Sequence, residues 1–307
     1  SNTVLNGKVY VPDTKDVTGA GTYVKKKMPP PYLTMPSITT TAYDNIMSDN
    51  DTLLSQNTST VDKVVANETF TVSGVMDYRT FSTSGDTTIV GNGIISTLSY
   101  LRLHGQNGLP ASTLTITPDP GGTIQFISGG GDLVIGTDSN NTAITINGPA
   151  CTFYVRGAGM TGGMRIRGSQ VQILDGNFLA RNSIVVSNGA DVTGKGNFFV
   201  VNTGQIYVLG DSNLTSVNGN LLSSSTASIA IQISSPEKAN IQVTGLVYAN
   251  PGMCKFIKAT IKGSVVCNLF MGNVINSADI TYQDVSSNIP PGFEGYVSKK
   301  DKSWDGY

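Results

Sequence analysis

The 307-residue sequence predicts an all-β fold, a parallel β-helix (β-solenoid) with an extended N-terminal arm and a short C-terminal tail. Three observations carry that prediction. Between Phe70 and Tyr282 short strand-like runs such as GTIQFIS, DLVIG and SIVVSNG are cut at short intervals by Gly, Asn and Asp, with no helical pattern to connect them. The stretch GNFLARNSIVVSNGAD from Gly176 returns as GNFFVVNTGQIYVLGD from Gly196 and, without the closing Asp, as GNLLSSSTASIAIQI from Gly219. Charged residues are only 13% of the chain, while 35 Gly and 13 Pro favour turns over long helices.

Residues 1–69 read as an arm. KKKMPPPYLTMP, Lys25 to Pro36, is extended because its prolines forbid helix and remove backbone donors. After it, Ile46, Met47, Leu53, Leu54, Val61, Val64 and Val65 fall near a seven-residue interval, which predicts a weak amphipathic helix. Such a helix could bundle between copies of the chain; the competing expectation is a loose Ser/Thr/Asn-rich linker.

Residues 70–283 are the predicted solenoid body. With one repeat per coil, Phe178, Phe198 and Leu221 stack as an apolar column inside it, and Asn177, Asn197 and Asn220 stack as an amide ladder. A coil cannot bury its apolar face alone, so it leans on a copy of itself. The spacing is irregular: the apolar triplet slips from Ile184 to Ile206 and Ile229, and an abbreviated copy, GNVINSADITY, opens at Gly272. A β-sandwich is the alternative architecture. The remaining segment, 284–307, is broken by Pro290, Pro291 and Gly292 and carries Tyr296, Trp304 and Tyr307, which suits either a solvated or a docking tail.

Several function classes lose support. Net charge is −1, and Lys and Arg are spread thinly with no basic stripe to follow a phosphate backbone, so no nucleic acid is expected as partner. No run of about 18 apolar residues predicts membrane insertion, and the N-terminal stretch lacks an apolar signal core. Cys151, Cys254 and Cys267 are odd in number and lack CxxC spacing, so buried free thiols are expected rather than a disulfide framework or a structural metal.

Chemical motifs are sparse. GAGMTGG, 157–163, matches GxGxxG but is followed by the β-like MRIRG rather than a helix, so a turn is expected and no cofactor. SGGGDLVIG around Asp132 lacks the spacing of calcium-binding repeats and is expected to be a flexible turn. His104 is the single histidine, expected beside a turn or at the surface, so neither a Ser-His-acid site nor a histidine metal site is predicted. Asp191 and Asp211 each lie fifteen residues after a Gly-Asn opening, which would bring two carboxylates onto adjacent coils about 5 Å apart. Both stand in turn sequences where Asp bonds its local backbone, so no catalytic residue is assigned.

The Pro-rich arm, the helical segment, the Gly-Asn repeats with their low charge and the aromatic tail together resemble the layout of bacteriophage tail fibres, tailspikes and head fibres. The resemblance is one of architecture and texture over most of the chain. It implies a homotrimer on the virion surface, held to other virion proteins through the N-terminal arm and projecting its β-rich part toward host surface polysaccharide. The expected role is a non-enzymatic fibre, spike or capsid decoration that mediates attachment. A glycan-cleaving tailspike using Asp191 and Asp211, and a bacterial surface adhesin, are the alternatives. The cluster of Asp, Glu, Arg and Tyr on successive coils found at tailspike sites is not evident in the sequence.

Overall fold

The computed structural model describes residues 8–12, 24–28, 39–105, 112–137, 144–147, 151–157, 163–172, 176–210, 214–236, 240–272, 278–281, 283 and 290. Its body is a right-through stack of parallel strands with three faces, a solenoid and not a sandwich. One coil reads Cys151–Val155 on the first face, Met164–Arg167 on the second, Ser169–Gln172 on the third, and then Asn177–Ala180 back on the first. Later coils fuse the third and first faces into one bent strand, as in Asp191–Val200 and Thr215–Ser223.

Register is set by what each face points inward. On the first face Ile95, Phe126, Phe153, Phe178, Phe198, Leu221, Val247 and Val265 lie directly above one another. The four phenyl rings stack at 5.2, 5.2 and 4.5 Å between centroids, with neighbouring planes within 11°. The predicted column of Phe178, Phe198 and Leu221 is thus real, and longer than the repeat revealed. On the second face the inward column is Phe81, Leu101, Leu133, Met164, Ile184, Ile206, Ile231 and Cys254. On the third, Val192, Val217, Val243, Ile261 and Ile280 align. A shift of one residue would turn each column away from the interior of the coil, so the three columns fix the register together.

The amide ladder also forms. Asn197 Nδ2 donates to Asn177 Oδ1 at 3.3 Å, and Asn220 Nδ2 donates to Asn197 Oδ1 at 2.9 Å. Asn220 Oδ1 closes the ladder by accepting the Leu246 backbone N–H at 3.0 Å. Beside it runs a glycine column at the corner between the third and first faces. A Cβ at Gly219 would strike the Gly196 carbonyl oxygen, and one at Gly245 would strike that of Gly219. The repeated Gly-Asn dipeptide therefore has two jobs: room for the corner, and one rung of the ladder.

Two details of the expected register are corrected. The partner of Ile206 is Ile231, not Ile229, because the turn that precedes this strand is two residues longer than in the coil before: Ile206 follows Val200 by six positions, and Ile231 follows its partner Ser223 by eight. The glycine column continues at Gly245 and Gly263, while Gly272 pairs with Phe256 on another face, so the copy at Gly272 is not a coil equivalent. The first solenoid strand is Asp62–Ala66, inside the segment read as arm. Of that arm, Lys8–Pro12 and Val24–Met28 pair as two parallel strands; the prolines after Met28 lie outside the described residues, as do 284–289 and the aromatics of the tail.

Helix α1 spans Thr41–Gln56. Ile46, Met47, Leu53 and Leu54 belong to it, whereas Val61, Val64 and Val65 do not: the helix stops at Asn57, and Val64 and Val65 join the first strand of the solenoid. Its buried stripe is Tyr43, Met47, Asn50 and Leu54, spaced to lie on one side. That stripe packs on its own solenoid rather than waiting for another copy. The second residue of each apolar pair on the first face points outward, giving an outer column of Ile127, Tyr154, Leu179, Phe199, Leu222 and Tyr248, all buried. Sixteen helical residues cover about 24 Å, or about five strand spacings. The helix covers a side of the solenoid because this outward-facing apolar column needs a cover.

Candidate functional site

Helix α1 runs down the first face toward the first coil. Tyr43 stacks on Phe199 with centroids 4.5 Å apart, and Leu54 lies by the corner at Gly129. At its end the buried Asn57 side chain donates to the carbonyls of Tyr78 and Ser96, both at 3.2 Å, and to Ser96 Oγ at 3.0 Å. Its Oδ1 accepts the Ser59 N–H at 2.9 Å, so one amide ends the helix and hooks it to the first coils.

Midway along α1 the structure assembles a cluster that the sequence did not reveal. Asp51 Oδ1 accepts the Tyr154 hydroxyl at 2.6 Å, and Asp51 Oδ2 accepts Arg181 Nε at 2.8 Å and Nη2 at 2.5 Å. Arg181 Nε also lies 3.0 Å from the Tyr154 oxygen. Tyr154 and Arg181 come from successive coils, while Asp51 comes from the helix laid over them. Burial first, and then the neighbouring Asp51 carboxylate, push the Tyr154 phenol well above its ordinary range, so it stays a neutral donor. Every oxygen of Asp51 is engaged, and the chemistry on view is a charge-assisted clamp holding α1 to the coils. A sequence signal existed: FLA, FFVV and VYA are continuous apolar runs, which imply strands buried on both faces and hence a cover.

The two aspartates singled out earlier are not register partners. Asp191 pairs with Gln170 on one side and Ser216 on the other, and Ser216 Oγ donates to its Oδ1. Asp211 lies outside the described residues. The fifteen-residue offset failed as a guide because the turns between coils differ in length: inward residues of the first face recur at 126, 153, 178, 198, 221, 247 and 265.

His104 is in a turn, with φ of 53°, but it is fully buried rather than at the surface. Its Nε2–H donates to the Gly85 carbonyl at 2.8 Å, which leaves Nδ1 to accept from Thr83 Oγ1 at 2.8 Å. Burial holds its pKa below the usual value. The turn at Asp132 is tied to its neighbours: Asp132 pairs with Arg165 at 3.5 Å, and a Cβ at Gly131 would strike the Ser99 carbonyl. GAGMTGG joins the strands Cys151–Val155 and Met164–Arg167, with residues 158–162 outside the described set.

The cysteine expectation is half wrong. Cys151 is a buried thiol outside any disulfide, its pKa pushed up to about 12 by burial. Cys254 and Cys267 form a disulfide, Cα atoms 6.0 Å apart. Cys254 is inward on the second face and Cys267 lies beside Ala249 in an inward column of the first face on the next coil, so the corner brings them together. Among the described residues, no group of three or more His, Cys, Asp or Glu could hold a metal ion, and no helix is long and apolar enough to cross a membrane.

The outward side of the second face carries the remaining pattern. Arg102, Val134, Arg165, Val185, Tyr207, Gln232 and Lys255 are successive register partners on the side opposite the inward column; Val134 is buried and the others are partly exposed. The Arg102 guanidinium lies 4.3 Å from the centre of the Tyr100 ring. No protein-family model, no curated protein and no solved structure matches this chain.

Proposed function

We propose that the chain is a non-enzymatic surface protein of a bacteriophage virion, a fibre, spike or capsid decoration that mediates attachment to the host surface. The observation that carries this reading is the build of the body: three inward columns and an amide ladder devoted to stacking, with a helix clamped along one side. Such a stack is stiff along its axis because each coil is fixed by both neighbours, and it presents long outer faces at a distance from its base. In this reading the arm docks on other virion proteins and three copies associate side by side.

The ionic groups at the first coil fit a free-standing rod. The outer edges of Asp62–Ala66 and Thr69–Tyr78 would template another chain if bare. There Arg79 pairs with Asp62 through two nitrogens, and the Lys63 ammonium lies 5.2 Å over the Phe70 ring while pairing with Glu68 at 3.7 Å. These charges discourage edge-to-edge growth.

Antibodies raised against the solenoid body, applied to intact purified phage particles that encode this chain, test the reading. Gold label on the particle exterior is the expected result. Label found only after particles are opened, or only on non-structural fractions, would remove it. Sedimentation of the full chain tests the trimer separately, with a monomer as the contrary result.

A further inference from the structure

The outer column of the second face has a period of its own. Its charged or aromatic members, Arg102, Arg165, Tyr207 and Lys255, fall on every second strand, and the strands between carry Val134, which is buried, and the partly exposed Val185 and Gln232. Two strand spacings are about 9.6 Å, comparable with the length of two sugar units in an extended chain. Arg102 and Arg165 sit 63 positions apart in sequence and Arg165 and Lys255 sit 90 apart, which is why no basic stripe was visible there.

We propose that this column binds a linear acidic polysaccharide lying along the solenoid axis, with one carboxylate for each pair of sugars. The proposal deepens the attachment reading and rests on it. Arginine forks suit carboxylates, the Tyr207 ring offers a flat surface for a sugar, and Lys255 supplies a further cation. Each of these side chains is partly exposed. Asp132 engages Arg165 from one flank at 3.5 Å, holding that guanidinium in place with part of its charge offset. A nucleic acid fits less well, because its phosphates follow one another far more closely than cations stand here.

The test is calorimetric titration of the full chain at low salt with hyaluronan fragments, which carry a carboxylate on every second sugar. Polygalacturonate, neutral dextran and single-stranded DNA serve as comparisons. Hyaluronan should bind best, Arg165→Gln should weaken it about tenfold, and the Arg102→Gln, Arg165→Gln pair about a hundredfold. Lys262→Gln, on the third face, should change nothing, and circular dichroism should show all variants folded. Dextran binding as tightly, DNA binding more tightly, a double variant equal to the parent, or no binding to either acidic glycan overturns the proposal. The two readings part cleanly. Hyaluronan binding by a chain that labelling places off the particle exterior keeps the glycan face and removes attachment; an exterior chain blind to both acidic glycans does the reverse.

Discussion

Phe178 lies between two rings, Phe153 at 5.2 Å and Phe198 at 4.5 Å, with no exposed surface. Replacing it by alanine removes a buried phenyl from a stack whose spacing is set by backbone ladders above and below, so the gap cannot close by collapse. A phenylalanine truncated in a core costs about 3–5 kcal/mol. Each lost ring pair contributes about 0.5–1.5 kcal/mol of that. Phe126 has Phe153 on one side and Ile95 on the other, so it loses one pair where Phe178 loses two. Phe178→Ala should therefore exceed Phe126→Ala by about 1 kcal/mol. Urea unfolding gives the two values, and hydrogen exchange shows where the stack opens: amides of 176–180 and 196–200 should lose protection first. A cost for Phe178→Ala below about 1 kcal/mol, or below that of Phe126→Ala, would refute continuous stacking.

Three further expectations follow from the same geometry. A double-mutant cycle on Asp51→Asn and Arg181→Met should give a coupling of about 1–2 kcal/mol, seen as faster exchange along α1, whereas no coupling would mean that the clamp does not hold the helix. Thiol labelling should find no reactive group in the native chain, one after unfolding without reductant and three after reduction; the crosslink between Cys254 and Cys267, 13 positions apart, should be worth about 3 kcal/mol. The Asp62 carboxyl, hydrogen-bonded by Arg79 and then Thr80, has its pKa lowered from 3.8 to about 2, so its contribution to stability is present above pH 3.8 and is lost as pH falls through about 2. Carbon NMR titration should show that low midpoint, with Arg79→Met returning it toward the ordinary carboxylate range.

The solenoid was legible where coil length is short and regular. Gly176, Gly196 and Gly219 mark coils joined by brief turns, so their Phe and Asn columns could be read from the repeat alone. Elsewhere the turns grow or shrink, and Phe126 and Phe153 carry no flanking signal that aligns them. Residues 41–65 show a second limit. A seven-residue rhythm cannot say where a helix ends, and the Asn57 amide, bonded to distant carbonyls, ends it eight positions before Val65. The clamp and the outer column of the second face stayed hidden for another reason: Asp51, Tyr154 and Arg181, like Arg102, Arg165 and Lys255, meet through stacking across many turns of chain. The disulfide was missed because an odd cysteine count says nothing about which two share a corner.

Paired cysteines on the ladder test the register most directly. In a Cys151→Ser background, Asn177→Cys with Asn197→Cys places two thiols on adjacent coils, about 4.8 Å apart at the backbone, within reach of a bridge. Asn177→Cys with Asn220→Cys places them two coils apart, about 9.6 Å, beyond it. Mild oxidation should crosslink the first pair, detected as one added bridge by mass spectrometry, and leave the second pair reduced. Bridging of the second pair in preference to the first would contradict a solenoid built on this register.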